Sequence, residues 1–123
     1  MARVQIAGDH LRVQLRGMSK VWAMKSRLEI PLTSVRGATI DPDVVREPKG
    51  VRSPGLHIPG VAAVGTFHHH GEKTLWETYR GTRTIVIQLT GQSYDRIAVE
   101  VPNPREAVEL INGSLPRRPA GSR

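Results

Sequence analysis

Leu75-Trp76-Glu77-Thr78-Tyr79, Ile85-Val86-Ile87-Gln88-Leu89 and Ile97-Ala98-Val99-Glu100-Val101, followed by Asn103-Pro104-Arg105-Glu106, form the stretch that decides the fold. The first three runs are rich in β-branched and aromatic residues with a period of two. Turn signals at Arg80-Gly81-Thr82-Arg83 and Thr90-Gly91-Gln92-Ser93 separate them, so each reads as a strand. The fourth run opens a helix. Asn103 caps it, Pro104 fits the first helical position where no N–H is needed, and Glu106 suits the positive end of the dipole. Ala107, Val108, Leu110 and Ile111 supply the buried face, and Gly113 suits a left-handed residue that closes the helix. Within Gly65–Gly113, strands followed by a helix predict a small β-barrel or sandwich plugged by a C-terminal helix.

Upstream, Val4 and Ile6 alternate with Gln5, Gly8-Asp9 supplies a tight turn, and Leu11, Val13 and Leu15 alternate with Arg12, Gln14 and Arg16. This predicts a β-hairpin with one buried face. From Met18 to Ser26 the period changes, with Met18, Val21 and Trp22 on one side and Lys20 and Lys25 outside, which predicts a short helix. Leu28, Ile30 and Leu32 return to a period of two. Pro31 removes a ladder donor, so that strand lies at a sheet edge or bends. Val35 to Ile40 reads as a further strand. Asp41 to Gly60 carries Pro42, Pro48, Pro54 and Pro59 and reads as a long irregular loop that cannot be a central strand.

The chain has 123 residues, 38% hydrophobic and 24% charged, which suits one globular domain over residues 1–115 and a disordered basic tail over 116–123. It has no cysteine, so disulfides, thiolate nucleophiles and cysteine metal sites are excluded. The start is too short and polar for a signal peptide, and no apolar run reaches the roughly 20 residues of a membrane span. A cytoplasmic location is expected. The net charge of +7, raised by Arg117, Arg118 and Arg123 in the tail, favours anionic partners.

No residue set amounts to a catalytic signature, and no cofactor is expected. His68-His69-His70 draws the eye, because on a strand His68 and His70 share a face and could hold a metal. Glu72 and Glu77 do not stand at the spacing of a cupin metal site, so an exposed strand end is the plainer reading. Asp41 and Asp43 fit turn chemistry, while Asp95 and Glu100 read as the solvated face of a strand. Arg12, Arg16, Lys20 and Lys25 could form a basic patch near the first hairpin, Arg80 and Arg83 flank a later turn, and either group could hold phosphate. They leave contact with an anionic membrane surface open. Nucleic-acid platforms add exposed aromatics, and the aromatics here are few and needed for the core, which disfavours nucleic acid.

The order of these segments resembles bacterial pleckstrin-homology-like domains, small actinobacterial members in particular. The resemblance lies in the opening hairpin, Pro31-Leu32-Thr33-Ser34-Val35, Gly65-Thr66-Phe67, the Ile85–Leu89 strand and the Pro-capped terminal helix. It implies a mainly β (α+β) fold of two nearly orthogonal antiparallel sheets, with a C-terminal capping helix and, here, one short inserted helix. It further implies a non-catalytic binding or scaffolding role toward a protein or peptide, and makes a homo-oligomer plausible. The lipid pocket of eukaryotic relatives is not carried over, since the first hairpin loop is Gly8-Asp9-His10.

Overall fold

The computed structural model describes residues 2–14, 27–42, 51–58, 62–69, 71–79 and 83–116; of residues 51–58, 62–64 and 79 it describes the backbone alone. The predicted helix over Met18–Ser26, the end of the first hairpin at Leu15 and the tail from Arg117 lie outside the described residues.

The fold is mainly β, and the described residues form two sheets and one α-helix. A three-stranded antiparallel sheet holds β1 (Arg3–Ala7), β2 (His10–Gln14) and β3 (Arg27–Pro31) in that order. A 3₁₀ turn at Leu32–Ser34 leads into a six-stranded sheet of β4 (Val35–Ile40), β5 (Val51–Ile58), β6 (Ala62–His69), β7 (Glu72–Tyr79), β8 (Thr84–Leu89) and β9 (Arg96–Glu100). Its spatial order is β4-β8-β9-β7-β6-β5. Helix α1 (Pro104–Ser114) follows and packs on β4, β1 and β8.

The hairpin forms as its sequence dictates. Ala7 pairs with His10 across Gly8-Asp9, and Gly8 takes φ 62°, the positive region a two-residue hairpin turn requires. Leu11, Val13, Leu28 and Ile30 are buried. They pack against Ile85, Ile87, Ile97 and Val99 of the large sheet and against Ala107 and Ile111 of α1.

The two sheets do not close into a barrel, and the large one is not wholly antiparallel. β9 inserts between β7 and β8, antiparallel to β8 and parallel to β7. Alternation specifies a strand's faces but not its neighbour, so the three runs that look like a meander are not one. The insertion also makes β9 central, with both faces covered. Ile97 and Val99 join the main core, while Ala98 joins Phe67, Trp76 and Val86 in a second cluster. Glu100 is therefore 4% exposed rather than solvated. Asp95 stays exposed in a turn, where its Oδ2 accepts the Lys73 N–H at 2.7 Å.

Two further expectations change. Val51–Ile58, inside the expected loop, is a strand at the sheet's margin, where the register shifts between Arg52 and Gly55. Pro54 falls in that irregularity, where a missing N–H costs no ladder bond. Helix α1 also runs through Gly113 to Ser114 instead of closing there, and Ser114 Oγ donates to the Leu110 carbonyl at 2.7 Å. Its start matches expectation, with the Glu106 N–H donating to Asn103 Oδ1 at 3.3 Å. No helix among the described residues is long and apolar enough to cross a membrane.

Candidate functional site

Every open sheet ends in strands whose outward N–H and C=O groups can pair with another chain. Among the described residues four strands stand at a sheet edge: β1, β3, β4 and β5.

Three of them carry a device that blunts pairing. In β3, Leu28 and Ile30 face the buried side and pair with Val13 and Leu11, and Pro31 ends the strand. Antiparallel pairs alternate, so the backbone groups of Arg27, Glu29 and Pro31 point away from β2, and Pro31 has no N–H to offer. In β5 the chain bulges at Ser53-Pro54. In β4 the outward groups of Ala38 are taken by a side chain. The Ala38 N–H donates to Asn112 Oδ1, and Asn112 Nδ2 donates to the Ala38 carbonyl, both at 2.9 Å. The amide of Asn112 thus stands where a residue of the next strand would stand.

β1 carries no proline, bulge or amide clamp. The tight turn makes Ala7 and His10 a hydrogen-bonded pair, so Arg3, Gln5 and Ala7 bond to β2 and Val4 and Ile6 present their backbone groups outward. The Ala2 N–H, next in that outward series, donates to the Glu100 carbonyl at 2.8 Å and pins the strand's start to β9. No hydrogen bond among the described residues reaches the outward groups of Val4 and Ile6. Beside this edge runs a groove of about 290 Å³ between β1 and the first turns of α1. Val4, Val101, Ala107 and Leu110 give it apolar walls, with Arg3 and Glu106 at its rim. Leu110 is 41% exposed, one of two large apolar side chains so exposed among the described residues.

The cations and imidazoles singled out in the sequence are dispersed. Arg12 is spent on its cross-strand neighbour, with Nε and Nη2 donating to Glu29 Oε1 at 3.0 and 2.8 Å. That hydrogen bond and the guanidinium's charge hold the Glu29 carboxyl below the usual carboxylate range. Arg83 is exposed at the start of β8, where its carbonyl accepts the Val101 N–H. His68 is exposed on β6, with Lys73 as its cross-strand neighbour, and the Lys73 ammonium lies 5.0 Å from the centre of the Tyr94 ring. Arg16, Lys20, Arg80 and His70 lie outside the described residues. Among the described residues, no three His, Asp or Glu side chains are grouped to hold a metal.

A larger cleft, about 700 Å³, lies along β4 and includes Arg36, Gln88, Glu72 and Asp95. Glu72 is paired there with Arg96 at 3.0 Å, and Asn112 already occupies the neighbouring strand edge. The β1 groove escaped the sequence reading, although a signal was present: among the described edge strands, the β1 run carries neither proline nor glycine, whereas β3 and β5 carry Pro31 and Pro54 and β4 carries Gly37.

Comparison of the chain with known protein families, curated protein sequences and solved structures returned no match.

Proposed function

We propose that the chain is a non-catalytic, pleckstrin-homology-like binding module, working in the cytoplasm, that takes an extended peptide by strand addition at β1. The observation that carries this reading is the asymmetry of the edges. Among the described edge strands, β3, β4 and β5 each carry a proline, an amide clamp or a bulge, and β1 alone joins an unclamped edge to an apolar groove. Strand addition draws affinity from main-chain hydrogen bonds and specificity from pockets that take alternate side chains, and the β1 edge offers both. Val4 and Ile6 supply up to four backbone groups, and the wall of α1 supplies the pocket.

Selection of binders from a random peptide display library, followed by amide hydrogen exchange, tests the reading. Selected peptides should slow exchange at Val4 and Ile6 while leaving Gln5, already bonded to β2, unchanged. Binders that protect some other surface, or a selection that yields none, would refute it.

A further inference from the structure

A strand laid beside β1 alternates its side chains between two different surfaces. On one side lies the groove, walled by Val4, Val101, Ala107 and Leu110. On the other lies the outer face of the three-stranded sheet, whose charge is ordered by register. Arg3, Gln14 and Arg27 stand side by side across the three strands, and Gln5, Arg12 and Glu29 form the next row. Arg12 is turned to Glu29 and away from β1. Arg3 is exposed on the open strand itself and makes no hydrogen bond or ion pair with any described residue.

Resting on the strand-addition reading above, we propose that the peptide β1 accepts alternates acidic and apolar residues. Its apolar side chains enter the groove and its carboxylates lie over the outer face, beside Arg3. An added strand runs about 4.8 Å from β1, which places an outward carboxylate within reach of that guanidinium. Charge complementarity selects the acid, since Arg3 has no counter-ion among the described residues and the chain carries +7 overall. Glu106 stands on the helix side of the groove's rim, held toward Asn103 at 3.5 Å, and its negative charge disfavours a carboxylate there and favours one on the β1 side, where Arg3 stands.

The experiment titrates the full chain with three peptides of equal length, alternating valine with glutamate, threonine or lysine, by fluorescence anisotropy. The glutamate peptide should bind about three- to fivefold more tightly than the threonine peptide, as one partly exposed ion pair allows, and the lysine peptide most weakly. Arg3→Glu changes an exposed side chain and should invert that order. Val4→Pro removes an N–H that points off the sheet and should abolish binding of all three while β1 stays paired to β2. Equal affinity for glutamate and threonine peptides overturns the acidic class and leaves strand addition standing. No binding by any peptide, or a β1 edge already protected from exchange by a second copy or by the chain's own residues, overturns both.

Discussion

Two strands end their sheets against the same helix, and α1 treats them oppositely. At β4 the helix approaches closely enough for Asn112 to supply both partners of Ala38, so the edge is satisfied from within. At β1 it stands off, leaving a groove of about 290 Å³ and the outward groups of Val4 and Ile6 unpaired among the described residues. A single amide side chain presents an N–H donor and a carbonyl acceptor side by side, as a strand residue does, so it can close an edge with no further strand. Edge protection here is local, built residue by residue, and the edge that lacks it lies beside exposed Leu110.

The strongest way to break the contrast is to loosen the helix. Ile111 is fully buried between α1 and both sheets, and Ile111→Ala should cost about 2–5 kcal/mol. Urea unfolding should show the loss, and peptide affinity at β1 should fall with it because one wall of the groove goes slack. A milder change acts on β4 alone. Asn112→Ala leaves Ala38 with two unanswered backbone groups and should cost about 1–3 kcal/mol. Exchange of the Ala38 amide should accelerate while that of Gln5 does not. If Ala38 exchanges at the same rate in both proteins, the amide clamp does not protect the edge.

Much of this fold was legible as alternation. Leu11, Val13, Ile85, Ile87, Ile97 and Val99 are the residues a period of two assigns to a core, and they are its centre. The cap at Asn103 was legible because it depends on residues three apart. What escaped is what distant residues decide. The placing of β9 between β7 and β8 follows from pairing with both, which no local pattern encodes, and the burial of Glu100 follows from that placing. Pro54 misled because proline argues against strands in general, and only position at a sheet margin lifts the objection. The candidate site was the least legible part, since it is defined by what three other edges have and β1 lacks.

A smaller effect separates the groove from the clamp along the helix. Asn103→Ala removes the acceptor of the Glu106 N–H and should cost about 1 kcal/mol. Fraying should be confined to the first turn, which walls the β1 groove, so peptide affinity should weaken while exchange of Ala38, clamped near the other end, stays unchanged. Equal disturbance at both edges would mean that α1 moves as one rigid body.

The smallest effect sharpens the contrast between Arg3 and Arg12, both on the outer face but only one available. The folded state holds Glu29 below its ordinary pKa, chiefly through the Arg12 hydrogen bond and then its charge. A carboxyl depressed by folding contributes stability that is present above its unfolded value, near 4.5, and is lost as pH falls through its lower folded value. Glu29→Gln should therefore lower Tm slightly at neutral pH, with the difference vanishing in acid. The same substitution leaves Arg12 without its counter-charge beside Gln5, next to the open strand, and should tighten binding of the valine–glutamate peptide at neutral pH. A tighter complex with a lower Tm would show that the pair stabilises the sheet at the expense of the charge it could offer a ligand. Unchanged affinity would mean that Arg3 alone sets the charge preference at the β1 edge.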